Sequence, residues 1–382
     1  MSQTLVKVKQ ETEADQLKRA FVKVMVEVAQ KIPPTLTLTD VKQVSSAIPH
    51  LAEVATNFNI LLTDEALIWP STGIARFYEG QANYQEALVW CQHCLEIAES
   101  RLGNDHINVA TSLSNLARIY RLQGEYNKAE PLLNRAQKLT QLGENHLFTG
   151  TCYNDLGLLY RLMGRYEKAK TYHKQALAIR LSQLGEKHPS IAQSYDHLAM
   201  VYRLTKRYKE AETYHKQALT IGLEQLGENH PFVARCYNHI GKLYYEIERY
   251  GEAESCYQKT LAIWLAELGE NHPSVAQSYT NFADLYYAMK KYEKAELLYQ
   301  KSLDIRFAIL GENHNFVALT YKNLAELYYT TERYDESERL YQKALAILMA
   351  TVGENHPNTQ KVLDSLRTLN QRKSTEMNPL IN

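Results

Sequence analysis

The chain has 382 residues, and its basic and acidic side chains balance at 43 Lys+Arg and 43 Asp+Glu, a formal net charge of zero. That balance removes any global electrostatic argument for a nucleic-acid or acidic-membrane partner. Five scattered cysteines make no disulfide framework, the N-terminus has no secretory layout and no apolar run approaches a membrane span, so a soluble, cytoplasmic chain is expected.

Residues 1–62 come first and stand outside the pattern that follows. Leu17, Phe21, Val24 and Val28 make a two-heptad apolar stripe that stops at Pro33 and Pro34, and a second helical run spans 49–62. Sustained coiled coils need three or four heptads, so 1–62 reads as an N-terminal helical cap.

From residue 63 to 356 the sequence is periodic. A box of the form Leu-Gly-Glu-Asn-His recurs with its glycines at Gly103, Gly143, Gly185, Gly227, Gly269, Gly311 and Gly353, spaced by 40 residues once and by 42 thereafter. A period of that size marks a stacked-repeat protein in which each unit buries itself against its neighbours. Within residues 188–226, Tyr195, Leu198, Ala199 and Tyr202 follow helical spacing, as do Ala211, Tyr214, Ala218 and Leu219 after the break at Arg207 and Tyr208. Each period is therefore two amphipathic helices. The box is expected to be punctuation: glycine as a left-handed C-terminal cap, a turn, then proline at 189, 231, 273 and 357 in the first turn of the next helix. Six regular pairs run from about 106 to 351, and a degenerate pair at 66–101, with Ala75, Tyr78, Tyr84 and Ala87 in register, precedes them. Residues 357–372 read as a capping helix and 373–382 as a disordered tail.

The pattern aromatic-x2-Leu-Gly/Ala-x2-Tyr, then Ala-x3-aromatic, recurs as Tyr237, Ile240, Gly241, Tyr244, Ala253 and Tyr257, and as Tyr279, Phe282, Ala283, Tyr286, Ala295 and Tyr299. It resembles the tetratricopeptide signature, in which small residues let two helices approach. The expected fold is all-α, a right-handed superhelical solenoid of tetratricopeptide helix pairs with a 42-residue period.

Little in the chain points to catalysis. Histidines of successive boxes stand a helix-packing distance apart and cannot share one metal ion. Cys91 and Cys94 form a CxxC, yet both fall at core positions and read as small hydrophobes. His173 and His215 occupy an aromatic core site and read as packed and hydrogen-bonded. No phosphate-binding loop, dinucleotide fingerprint, GxSxG or HExxH is present. The expectation is a non-enzymatic chain with no catalytic residue, metal or cofactor.

In a superhelix of this kind the first helix of each pair lines the concave side. One lining stripe is Asn115, Asp155, His197, His239, Asn281 and Asn323; a second is Arg121, Arg161, Arg203, Tyr245, Tyr287 and Tyr329. Arg118 and Lys242 add positive charge, and Asp284 and Glu326 negative charge. Arginine forks bind carboxylates, amides clamp extended backbones, and tyrosines supply apolar area with a polar tip. These residues form a candidate peptide-binding groove for other proteins, suited to short acidic segments with an apolar or aromatic neighbour; the alternative is a solvated helix face.

The boxes, the stretches Asn115–Tyr120 and Asn323–Tyr328, and Tyr292–Tyr299 are similar to the 42-residue repeats of kinesin light chains, over about residues 84–357. That resemblance implies an adaptor whose first-helix arginines and asparagines, here Asn115, Arg161, Arg203, Asn281 and Asn323, hold short acidic peptides with a central tryptophan. A genuine light chain would add a kinesin heavy chain as partner. That family places a long coiled coil before its repeats, where residues 1–62 hold two heptads. Similar repeats occur in bacterial scaffold proteins, often behind nucleotide-binding switch domains, whose leading repeat the segments 50–58 and 67–84 together resemble; this leaves open a regulatory module acting with such a switch protein.

Overall fold

The computed structural model describes residues 2–33, 36, 38–81, 83–141, 146–351, 353–354 and 357–377. Among the described residues every regular element is helical, and the chain divides into two compact units, Met1–Pro231 and Phe232–Asn382.

The first unit opens with α1 (Ser2–Lys31), α2 (Leu38–Val44) and α3 (Ile48–Thr56). Helix pairs follow in tandem: α4 (Trp69–Gly80) with α5 (Tyr84–Leu102), α6 (Ile107–Leu122) with α7 (Tyr126–Gln141), α8 (His146–Leu162) with α9 (Tyr166–Leu184), and α10 (Pro189–Leu204) with α11 (Tyr208–Leu226). The second unit continues the series with α12 (Pro231–Glu246) and α13 (Tyr250–Leu268), α14 (Pro273–Ala288) and α15 (Tyr292–Leu310), and α16 (Asn315–Thr330) and α17 (Tyr334–Thr351), then ends in α18 (Pro357–Met377). Within the first unit neighbouring pairs bury their apolar stripes against one another, as Leu113, Ala136 and Cys152 do in one shared cluster. Small residues set the approach within a pair: a Cβ on Gly241 would lie 2.6 Å from Cε1 of Tyr257.

The turn inside each of the six regular pairs is built the same way. The amide of Arg207 reaches the carbonyl of Tyr202 at 2.8 Å and that of Lys206 reaches Arg203 at 2.9 Å, the six-to-one closure of a Schellman motif. The residue between them is left-handed: Lys206, Glu248, Lys290 and Glu332 have φ of 58 to 62°, where the earlier turns use Gly124 and Gly164. From the α8–α9 turn onward the side chain after it lies over the ring of the same tyrosine, with Arg333 3.8 Å from the Tyr328 centroid.

The boxes act as cap, turn and restart, with two refinements. Gly103, Gly185, Gly227, Gly269 and Gly311 have positive φ, but ψ of 163 to 168°, as at Gly311 (φ 78, ψ 164). This is the extended mirror region rather than the left-handed helical well, and it is still more restricted to glycine. The histidine, in turn, is the next helix's N-cap: Nδ1 of His106, His188, His272 and His314 accepts the amide two residues on, each at 3.1 Å. The prolines at 189, 231, 273 and 357 open α10, α12, α14 and α18. Residues 142–145 of the second box, and Val352, Asn355 and His356 of the last, lie outside the described residues.

Two expectations are corrected. Helix α1 turns Val22, Ala29 and Ile32 inward and leaves Leu17 72% and Val24 52% exposed, because Gly73 of α4 provides the hollow into which Ala29 and Ile32 pack. The segment expected as a disordered tail is helical as far as Met377, held by Lys373 to Asp335 at 2.8 Å and Glu338 at 2.7 Å; residues 378–382 lie outside the described residues. No described helix is long and apolar enough to cross a membrane.

Candidate functional site

The lining stripes fall on the first helices α6, α8, α10, α12, α14 and α16 and are half-buried, except Asn281, which is 5% exposed. A half-buried polar face is costly unless its groups find partners, so the partners of each side chain describe what remains for a ligand.

In the first unit, Arg118 pairs with Glu79 of the preceding repeat and donates through Nη2 to Oδ1 of Asn115 at 3.4 Å. Burial raises the Asp155 carboxyl above its ordinary range, against Arg121, Arg118 and Arg180, which favour its charge. Burial likewise lowers Arg121, with Asp155 opposing. Arg161 is less well compensated. Burial, then repulsion by Arg121 and Arg203, outweighs the opposing pull of Asp196 and brings it down to about 10, and its Nε is buried without a hydrogen-bond partner. Three guanidiniums in successive repeats thus reinforce one positive field. His197 bonds through Nδ1 to Oδ1 of Asn154, the residue beside Asp155, at 2.7 Å.

Behind this face, His215 and Asp196 are fully buried and bonded at 2.9 Å. His173 lies under Gly157, where a Cβ would sit 2.6 Å from its ring. Burial, with Arg161 and Arg180, pushes His173 down to about 3, so it is a neutral core residue. Cys91 and Cys94 are buried, and burial pushes the Cys91 thiol up to about 12, which removes the thiolate a redox pair requires.

In the second unit the stripe is aromatic. Tyr245, Tyr287 and Tyr329 each lie against the turn tyrosine five residues on, with centroids at 6.2, 5.9 and 5.8 Å. Tyr287 also shares a 2.7 Å hydroxyl contact with Thr330. Asn281 spends its amide on its neighbours, donating to Asn238 at 2.8 Å and accepting from Gln277 at 3.0 Å. Asn323 lines a cavity of about 250 Å³ with Asp284, Arg306 and Lys322. Burial raises Asp284, which accepts from Tyr299, and Lys242 and Lys322 favour its charge. His239 is half-buried on α12.

Sequence reasoning missed Arg76, which stands in the leading pair at the position of Arg118, and Glu79, which continues the second stripe there. The available signal was register: each lies 42 residues before Arg118 and Arg121.

The family model of the tetratricopeptide repeat matches residues 66–141, 135–182, 154–224, 190–264, 243–306 and 308–366. No curated protein matches the sequence. Among solved structures, a Rap protein complexed with Competence and Sporulation Factor is similar at a TM-score of 0.59 and 15% identity, covering 93% of this chain and 98% of that one. A signal transduction ATPase with a tetratricopeptide repeat sensor, PH0952 from Pyrococcus horikoshii, gives 0.53 at 17% identity over 86% of this chain and 48% of its own. BtubC (BKLC) from P. vanneervenii is 25% identical over 60% of this chain and 91% of its own, at a TM-score of 0.46. At these identities the first two likenesses establish the fold alone.

Proposed function

The chain belongs to the tetratricopeptide repeat family, whose repeats build protein-interaction scaffolds, and from that premise we propose that its first-helix faces bind short segments of partner proteins. Arg121, Arg161 and Arg203 of the first unit engage acidic residues, and Tyr245, Tyr287 and Tyr329 of the second engage apolar or aromatic ones. The observation that carries this reading is Arg161. A guanidinium held down to about 10 by burial and by two neighbouring guanidiniums, which Asp196 offsets only in part, gains from an incoming carboxylate beside it. The Rap structure was solved with a bound factor, which supports the capacity of this fold for such a role.

Affinity capture from native lysate, comparing wild type with Arg121/Arg161/Arg203→Glu under matched circular dichroism, tests it. Partners lost only with the variant support the reading, and identical partner sets sink it. A kinesin heavy chain among the partners would select the narrower role implied by the light-chain resemblance, and a nucleotide-binding switch protein the regulatory one.

A further inference from the structure

Residues 13–20 of α1 are all exposed, so this stretch of the helix has nothing packed against it. Helices owe most of their stability to the burial of one face, and an unsupported stretch is held best by a partner from outside. The body engages α1 only from Phe21 onward. Val22 packs with Val54, Leu62 and Leu67, Ala29 with Ile48, Leu51 and Ile74, and Phe21 lies edge-on to His50 and Phe58.

At 3.6 residues per turn, Glu13, Leu17, Ala20, Val24, Glu27 and Lys31 form one line along α1, about half a turn round from Val22 and Ala29. All six are exposed, Leu17 at 72% and Val24 at 52%. Alternate steps of four and three residues are the spacing of a helix-packing seam, though this one is shorter than a sustained coiled coil. Its middle is apolar, with the small Ala20 allowing close approach, and its two ends carry opposite charges. Glu13, Glu27 and Lys31 hold no ion pair among the described residues, and the Lys18–Asp15 pair at 4.0 Å lies off the line.

The charges decide the partner and its direction. In a parallel, in-register pair each seam residue meets its own counterpart, so Glu13, Glu27 and Lys31 would each face a like charge. In an antiparallel pair Ala20 stands opposite Val24, Leu17 opposite Glu27, and Glu13 opposite Lys31, each twice over by symmetry. The line therefore complements itself when two copies run in opposite directions.

We propose that the outer line of α1 docks on the same line of a second copy of this chain, as an antiparallel two-helix contact around a twofold axis. From Glu13 to Lys31 the contact runs about 27 Å at 1.5 Å per residue. That is a small interface, so the dimer is weak, with a dissociation constant on the order of 1–100 μM. The contact goes beyond the scaffold reading and uses none of its residues.

Sedimentation velocity of the full chain from about 1 to 300 μM tests it. Monomer should pass to dimer across that range. Leu17→Asp/Val24→Asp should stay monomeric with unchanged circular dichroism, since both side chains are exposed. Glu13→Lys and Lys31→Glu should each weaken the dimer about tenfold or more, because each turns both symmetric ion pairs into like-charge contacts. An equimolar mixture of these two variants should dimerise as the wild type does, with opposite charges restored across the contact. The proposal is overturned by a wild-type chain that is monomeric at about 300 μM, which would leave the line to a partner of another kind. It is overturned equally by a dimer that survives Leu17→Asp/Val24→Asp, by single charge variants that dimerise as well as the wild type, or by a mixture of them that fails to. The Arg121/Arg161/Arg203→Glu chain should dimerise normally, so failure of the scaffold reading and failure of this contact are separately visible.

Discussion

Nδ1 of His314 accepts a hydrogen bond from the amide of Phe316 at 3.1 Å, and the two rings lie 5.2 Å apart. The side chain most suggestive of an active site is therefore a helix cap. An acceptor Nδ1 requires the tautomer protonated at Nε2, so a proton on Nδ1 breaks the cap. Burial, then Arg306, lowers the His314 pKa. Unfolded histidine titrates near ~6.5, so the folded chain binds this proton less readily. The cap's contribution is complete above that value and is lost as pH falls through the folded pKa. Urea midpoints should drop between about pH 7.5 and pH 5, and His314→Asn, a cap that does not titrate, should flatten the drop. At the higher pH His314→Ala should cost about 1 kcal/mol. A pH response unchanged in His314→Asn would rule this cap out as its source.

Gly311 has φ 78° and ψ 164°, and a Cβ added there would meet nothing within 4 Å. The constraint is thus conformational rather than steric. Gly311→Val should destabilise by about 1–3 kcal/mol in chemical denaturation, and Gly311→Ala by a similar amount, since both place a Cβ in the same forbidden region. A loss that scaled with side-chain volume would show a steric cause instead.

Lys290 holds φ 58° in the turn between α14 and α15, where the turn after α8 has Gly164. Lys290→Gly should stabilise by up to about 1 kcal/mol, the relief of the left-handed penalty outweighing the added freedom of the unfolded chain. Thermal unfolding reads the sign directly, and a lower midpoint would mean that the lysine stem contributes packing that outweighs the strain.

Arg161 sets function against stability. Arg161→Met keeps an unbranched apolar stem and removes a buried, unpaired donor and a repelled charge. Its unfolding free energy should rise, on the order of 1 kcal/mol, while capture of acidic partners falls. Equal stability with unchanged capture would show that solvent already neutralises the guanidinium.

The sequence by itself determined the repeat. The 42-residue glycine spacing, the prolines opening α10, α12 and α14, and the tyrosines opening the second helices place nearly every boundary, because caps and turns are formed by residues close together in the chain. That the candidate residues share the first helices was readable for the same reason, as fixed offsets on a helix of known period. Tertiary structure decided what those positions have left to offer. It spent the Asn281 amide on Asn238, 43 residues away, paired Arg118 with Glu79, 39 residues away, left the Nε of Arg161 without an acceptor, and bonded Arg76 to Ile32 from outside the repeat. It also chose the inward face of α1, since Gly73 makes a hollow only once α4 stands beside it. Periodicity specifies which side chains share a face; which of them satisfy one another depends on the offset between stacked helices, and packing sets that offset.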